Sequence, residues 1–212
     1  MILVVITVVM AAGAGLVLAA AVDARVAAVS HEARQLEQGA EAALDLALTS
    51  LVRESDLDAV LSGSRVSAFT DGTPGLRAIA GGIEIDLMAE THRLRCGRAA
   101  GCSDAQTATT TPSRPWGANN ARWQPYVHGR LSALLPAVPS GPVLYLAAWV
   151  GDDPLETDGD PVHDAADPAG PGYRIVRVHV EATSAAGRRR AFEALVERCP
   201  PGVRVHWWTE VR

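Results

Sequence analysis

The stretch from Met1 to Val52, MILVVITVVMAAGAGLVLAAAVDARVAAVSHEARQLEQGAEAALDLALTSLV, decides the fold. Its first 22 residues carry no charged side chain. At a rise of about 1.5 Å per residue they form a helix of about 33 Å, which is long enough to cross the apolar core of a bilayer. No Pro interrupts the stretch. We therefore predict one continuous helix that begins as a membrane-spanning segment.

Beyond Asp23 the helical pattern continues, but it becomes amphipathic. Apolar residues recur at spacings of three and four, with charged residues between them, as in a helix that buries one face. The residues that we expect to pack against the rest of the chain are Val26, Val29, Leu36, Leu44, Leu48 and Leu51. The predicted organisation is a membrane helix (1–22), an amphipathic stem (23–55) and a head domain (56–212).

A cleavable secretory signal is the alternative for the hydrophobic start. Such signals combine a basic region, an apolar core of 7–15 residues and a small-residue cleavage site. The stretch Ala19-Ala20-Ala21 could serve as that site, but no basic residue precedes the apolar run, which is also long for a signal. We favour a retained helix, because the apolar face continues through this point into the stem.

Composition limits the partners of the head. The chain has 212 residues and a net charge of −5, and all 19 of its basic residues are Arg. A nucleic-acid-binding surface needs clustered positive charge, so the sequence does not favour a nucleic-acid partner. The roughly 160 residues after the stem suit a single domain.

The cysteines suggest an oxidising compartment. Cys96 and Cys102 enclose five residues that include two glycines, which is flexible enough to close a small disulfide. A zinc site is less favoured, because no second pair of Cys or His follows at a suitable spacing. A disulfide fits a head that has crossed a membrane. Cys199 is left without an obvious partner.

Hydrophobic patterns predict an α+β fold in which a C-terminal antiparallel sheet packs on the stem helix. Residues 173–183, 188–198 and 203–212 alternate in polarity and are separated by turn residues, so they predict three consecutive strands. The apolar run 143–150 predicts a central strand. Alternation at Ile83, Ile85 and Leu87 predicts a short strand, and 128–135 resembles a short helix stopped by Pro136 and Pro139.

Two irregular segments carry ligand hypotheses. Trp116, Trp123 and Tyr126 are expected to pin a loop to the core, with stacking on a carbohydrate or aromatic ligand as the alternative. Residues 151–172 hold seven carboxylates among Pro and Gly, and we predict a solvated loop. The alternative is Ca²⁺ binding, although the spacing does not fit an EF-hand. The candidate calcium ligands are Asp152, Asp153, Asp158 and Asp160.

No catalytic motif is apparent. The sequence lacks a nucleophile elbow, a phosphate-binding loop, a zinc-protease helix and a dinucleotide-binding glycine pattern. The six histidines are scattered, and we expect His179 and His206 to be exposed on polar strand faces. We therefore predict a protein that is not an enzyme and has no cofactor.

Four segments, in the expected order, resemble the PilX-like minor pilins of the type IV pilin and pseudopilin group. The stem contains AEAALDLAL (40–48), which is similar to the AEAGLERAL signature of that family. The other three are RPWGANNARW (114–123), WVGDDPLETDGDP (149–161) and GRRRAFEALVERCPPGVRVHWWTEVR (187–212). Unlike typical pilins, the chain has Val5 where a Glu is expected, and no basic leader precedes it. An upstream start codon or a branch without that Glu would explain both differences.

The resemblance implies a structural role in filament assembly. Minor pilins are anchored in the inner membrane with an extracytoplasmic head, and their N-terminal helix later packs in the filament core. The expected partners are other pilins, minor pilins and a tip adhesin-like protein. The resemblance does not distinguish among adhesion, motility, DNA uptake and secretion as the process that the filament serves. The residues expected to lie in the filament core are Val4, Val5, Val8, Leu16 and Leu18.

Overall fold

A computed structural model describes residues 2–136, 141–156, 158–165, 167 and 170–211. Its helices are α1 (Ile2–Arg53), α2 (Leu57–Leu61), α3 (Leu87–Cys96), α4 (Asp104–Thr107) and α5 (Leu131–Leu134). Its strands are β1 (Leu76–Ala78), β2 (Glu84–Asp86), β3 (Gln124–Arg130), β4 (Leu144–Asp152), β5 (Ile175–Ser184), β6 (Arg189–Cys199) and β7 (Gly202–Val211). The long N-terminal helix and the C-terminal antiparallel sheet confirm the predicted α+β layout.

The described residues form a five-stranded antiparallel sheet in the order β3-β4-β5-β6-β7, and β1 and β2 pair separately. The last three strands are the consecutive hairpins that the alternating pattern predicts. Gly187, with φ of 75°, closes the turn between β5 and β6, where a side chain would be strained. Strand β4 is interior to the sheet, and all nine of its residues are buried, as its continuous apolar run indicates.

The chain divides into two compact units, residues 1–35 and residues 36–212. The first, here called the helical unit, contains the N-terminal part of α1. The second, here called the globular unit, contains the end of α1 from Leu36 onward and all the remaining elements. Within the globular unit, the end of α1 packs on one face of the sheet. The main core therefore contains Leu36, Ala40, Ala43, Leu44, Ala47 and Leu51 together with Leu146, Ala148, Val178, Val180, Phe192 and Ala194.

Gly39 lies where α1 contacts the sheet most closely. A Cβ atom at this position would lie 2.8 Å from Leu144 Cδ1, 3.2 Å from Ala182 Cβ and 3.2 Å from Leu146 Cδ2. Glycine is otherwise a poor helix former, so its presence here has a packing reason. The missing side chain lets the helix approach β4 and β5.

A second, smaller core covers part of the opposite face of the sheet. Trp149 is fully buried there, and its Nε1 donates a hydrogen bond of 2.8 Å to Thr91 Oγ1 on α3. The remaining members include Ile79, Ile85, Leu87, Ala121, Trp123, Tyr145 and Ala147. The sheet is therefore covered on both faces at β4.

Two predictions of local structure are wrong. Residues 128–130 belong to β3 rather than to a helix, since pairing with β4 overrides the local preference, and only Leu131–Leu134 is helical. Pro139, the second predicted stop, lies outside the described residues. Leu87 is not in a strand, because the Asp86 side chain accepts hydrogen bonds from the amides of Met88 and Ala89 and starts α3.

The predicted disulfide between Cys96 and Cys102 is confirmed. The disulfide joins Cys96, the last residue of α3, to Cys102 in the segment that follows the helix. Gly97, with φ of 75°, is the C-terminal cap of α3. Cys199 is the free cysteine.

We expect the double replacement Cys96→Ser and Cys102→Ser to lower the free energy of unfolding by about 2 kcal/mol, because a short closed loop constrains the unfolded chain modestly. Urea unfolding of the full chain measures this change. Cys199→Ser is the matched control and should leave the stability unchanged. Equal stability of the double variant and the wild type would contradict a structural role for the disulfide.

Candidate functional site

The described apolar side chains in the N-terminal part of α1 are exposed. The helix from Gly13 to Arg53 is long and apolar enough to cross a membrane, a property that it shares with signal sequences. Leu16 and Leu18, two of the predicted filament-core residues, are 73% and 68% exposed. Val4, Val5 and Val8 lie outside the part of the chain whose side chains are described. A surface of this composition is stable in lipid or against other apolar helices.

The amphipathic face of α1 is buried only in the globular unit. Leu36, Leu44 and Leu51 are buried, and Leu48 is partly buried against the same core. Val26 and Val29 were expected to belong to this packed face, but they are 60% and 47% exposed. These two valines lie in the helical unit, where a single helix has no other element to cover them.

The acidic segment is only partly the solvated loop that its composition predicts, because Asp158, Asp160 and Asp167 are exposed but three other carboxylates are buried. Asp152, Asp153 and Glu156 are 2%, 4% and 2% exposed. Asp152 is the last residue of β4, so the sheet itself carries it into the interior. Asp152 Oδ1 and both carboxylate oxygens of Glu156 are buried without a hydrogen-bond partner. The Glu156 side chain lies against Gly172, where any Cβ atom would collide with it.

Burial determines the protonation of these groups. Loss of solvation raises the pKa of Asp152 to about 9, and repulsion by the Glu156 carboxylate adds to the rise. Burial likewise raises the pKa of Glu156 to about 7, with repulsion by Asp158 and Asp164 contributing. Near neutral pH, Asp152 therefore holds a proton and Glu156 is partly protonated.

The four calcium candidates do not share one environment. Asp152 and Asp153 are buried, whereas Asp158 and Asp160 are exposed, and Asp160 Oδ2 lies 2.8 Å from His163 Nδ1. Within the described ranges, no group of three or more His, Cys, Asp or Glu side chains is arranged to hold a metal ion. The sequence-based calcium hypothesis therefore gains no geometric support.

A groove of about 750 Å³ opens on the face of the sheet opposite α1. At its base the Arg177 guanidinium lies 4.9 Å from the Trp116 ring centroid, 5.6 Å from that of Trp123 and 5.8 Å from that of Trp207. These distances are typical of cation–π contacts. Trp123 is nearly fully buried, as predicted for an aromatic residue that pins a loop, but Trp207 is 38% exposed.

Glu193, on strand β6, holds the guanidinium of Arg177 on the neighbouring strand β5. Its carboxylate pairs with Arg177, and its second oxygen lies 3.4 Å from His179 Nδ1. Burial raises the pKa of Glu193, but hydrogen bonding from His179 and the charge of Arg177 lower it by more, so this group stays ionised. The prediction that His179 is exposed is wrong: it is 5% exposed and contacts the rings of Trp123 and Trp149 edge-on.

Asp71 forms a second polar cluster, which ties the turn after Thr70 to the sheet. It accepts hydrogen bonds from His128 Nδ1 at 2.9 Å, Tyr145 Oη at 3.1 Å and Arg77 Nε at 3.1 Å. Burial raises the pKa of Asp71, but these three donors offset the rise, and the pKa lies below its ordinary value. The arrangement anchors a loop and brings no nucleophile to the histidine.

No protein-family model matches this sequence, and no curated protein and no solved structure is significantly similar to it. Among the described residues, the exposed apolar part of α1 and the groove lined by Trp116, Trp123 and Trp207 both offer apolar surface to a partner.

Sequence patterns pointed to the first of these surfaces and only partly to the second. The sequence predicts that Trp116, Trp123 and Tyr126 pin a loop to the core, with ring stacking as the alternative, and it gives no indication that Arg177, Glu193 and Trp207 join them. The sequence indicates the role of Trp207 only weakly, because it does not show which of the adjacent residues Trp207 and Trp208 faces the core. In the structure Trp208 stacks on Phe192 with ring centroids 4.5 Å apart, and Trp207 faces the groove.

Proposed function

We propose that this chain is a minor pilin-like structural subunit of a type IV pilus or related pseudopilus, anchored in the inner membrane with its globular unit outside the cytoplasm. The observation that carries the proposal is the two-part character of α1. In the part of this helix whose side chains are described, the segment from Gly13 to Val22 is apolar and exposed, and the segment from Leu36 packs on an antiparallel sheet. A subunit that leaves lipid for a helical filament core needs both segments.

Energetics support a role for the exposed segment in assembly. Leu16, Val17 and Leu18 are each about 70% exposed. Leaving such side chains in water costs about 1.5–3 kcal/mol each, so the segment requires lipid or other helices around it. Gly13 and Gly15 have open space where a side chain would be. Small residues of this kind allow close approach between helices in a membrane.

The test is affinity purification of the tagged full-length chain from the membranes of its native cells, followed by mass spectrometry. We expect co-purification of other pilin-like subunits and a tip adhesin-like protein. A variant with Leu16→Ala and Leu18→Ala should remain in the membrane fraction but recover fewer of these subunits, because the shorter side chains lose van der Waals contacts with neighbouring helices. Leu155→Ala, at a position of the globular unit that is 63% exposed and outside the groove, is the matched control and should retain them. Recovery of the wild-type chain alone, or with a transporter, would contradict the proposal.

A second candidate function is a membrane-anchored binding module. The observation that favours it is the groove with Trp207, rather than the acidic segment, in which no three ligands converge among the described residues. The two candidates are compatible, since a filament subunit can carry a binding site on its exposed unit.

A further inference from the structure

From the groove on the sheet face opposite α1 we infer a binding site for an acidic saccharide, a sugar ring that carries a carboxylate. The groove has a volume of about 750 Å³, which lies within the usual range for small-ligand sites. It lies entirely within the globular unit. The inference is independent of the filament role proposed above.

Aromatic surface is the first part of the argument. Trp116, Trp123 and Trp207 all line the groove, although the chain has only five tryptophans. Trp123 is held in the core, but Trp207 is 38% exposed and leaves a large apolar ring partly in solvent. A pyranose ring has an apolar face of C–H groups that can stack on such a ring, while its hydroxyl groups remain at the polar margin. Thr209, Thr111 and Ser113 supply hydroxyl groups in the same lining.

Charge is the second part. Arg93, Arg114 and Arg177 line the groove, and Glu193 is the carboxylate among its described lining residues, although the chain as a whole has a net charge of −5. Arg177 is neutralised by Glu193. Arg93 is paired with Glu90 outside the lining, whereas the described partners of Arg114 are carbonyl oxygens, so Arg114 leaves positive charge in the groove that favours an anionic ligand.

The arginines differ in how firmly they are paired. Arg93 contacts Glu90, which also pairs with Arg189, and Arg189 in turn lies 3.4 Å from Glu181, so these two arginines share two carboxylates. Arg114 Nη1 donates hydrogen bonds to the carbonyl oxygens of Arg95, at 2.7 Å, and Gln106, at 3.5 Å. These contacts position the Arg114 guanidinium without neutralising it. It is therefore the group that we assign to the ligand carboxylate, because a guanidinium matches a carboxylate in geometry and charge.

The experiment is binding of the full-length chain, in lipid nanodiscs, to an array of sialylated and uronate-containing oligosaccharides paired with their neutral counterparts. Nanodiscs avoid alkyl glycoside detergents, which carry sugars themselves. We expect the acidic glycans to bind in preference to the neutral ones. For the best-bound glycan, Trp207→Ala should weaken the affinity about tenfold or more, as loss of one ring stack requires. Raising the salt concentration should also weaken binding.

Trp208→Ala is the matched control, since Trp208 is the neighbouring residue on the opposite face of β7 and stacks on Phe192. This variant should lose stability but keep its affinity. Arg114→Gln should reduce the preference for acidic over neutral glycans while thermal unfolding shows that the fold persists. Absence of binding to every acidic glycan, equal binding to the neutral set, or binding that survives Trp207→Ala would overturn the inference.

Discussion

Asp152→Asn is expected to stabilise the folded chain by about 3 kcal/mol at pH 8 and to change its stability little at pH 4. Asp152 is 2% exposed, and its Oδ1 has no hydrogen-bond partner. At pH 8 the unfolded chain carries an ionised Asp152, and folding must protonate or desolvate it. Asn is neutral at every pH, so it avoids that cost.

The sign of the pH dependence follows from the direction of the pKa change. The pKa of Asp152 rises from 3.8 to about 9 on folding, so the folded state holds a proton that the unfolded state lacks between these values. The contribution of Asp152 to stability is therefore fully present below pH 3.8 and is lost as the pH rises toward 9. Glu156 acts in the same direction, because its pKa rises from 4.5 to about 7.

Urea unfolding of the full chain at pH 4, 6 and 8 measures the effect. Asp160→Asn is the matched control, since Asp160 belongs to the same segment and is exposed, and it should change stability by less than about 0.5 kcal/mol. Destabilisation by Asp152→Asn at pH 8 would contradict the account. So would a Ca²⁺-dependent rise in the melting temperature of the wild type that Asp152→Asn abolishes, because it would mean that the carboxylate is ionised and holds a cation.

Gly39→Leu is expected to destabilise the globular unit by about 3 kcal/mol or more. The first added atom would already lie 2.8 Å from Leu144 Cδ1 and 3.2 Å from Ala182 Cβ, and leucine adds three further carbons beyond it. Because the core is closely packed, α1 would have to move away from β4 and β5. That movement exposes apolar area on both elements.

Thermal and urea unfolding of the full chain measure the Gly39 variants. Gly15→Leu is the matched control, since nothing lies within 4 Å of a Cβ atom at that position, and it should leave the globular unit unchanged. Gly39→Ala should have a much smaller effect, because its better helix propensity, about 1 kcal/mol, offsets the crowding. A Gly39→Leu variant as stable as the wild type would show that the helix does not pack on the sheet at this point.

The sequence was sufficient to predict the elements whose periodicity is long. α1 repeats its apolar spacing over many turns, and β5, β6 and β7 alternate over ten or eleven residues each. The sequence pattern does not predict α3, because the helix begins directly after the short alternating stretch that forms β2. Its start depends on the Asp86 side chain, which caps the helix. The helix predicted at 128–135 overlaps the last three residues of β3, because their pairing with β4 is a tertiary contact that local sequence does not encode.

The site could be predicted less well than the fold. Simple alternation places Val203 and Trp207 on one face of β7, yet Val203 and Trp208 are the residues that pack against the main core. A register shift between Leu195 and Val196 of β6 explains the change of face. The groove also joins residues from Arg93 to Val211, which only the folded sheet brings together. Similarly, the burial of Asp152 follows from the length of β4 and not from local charge.

The most direct test of the filament proposal is photo-crosslinking in native cells from a benzoyl-phenylalanine placed at Leu16, an apolar position of α1 that is 73% exposed. The account predicts a covalent adduct with another pilin-like subunit, identified by mass spectrometry. The same probe at Leu155, an exposed position of the globular unit, provides the comparison. A chain that is present in the membrane and gives no protein adduct from position 16 would contradict assembly through this helix.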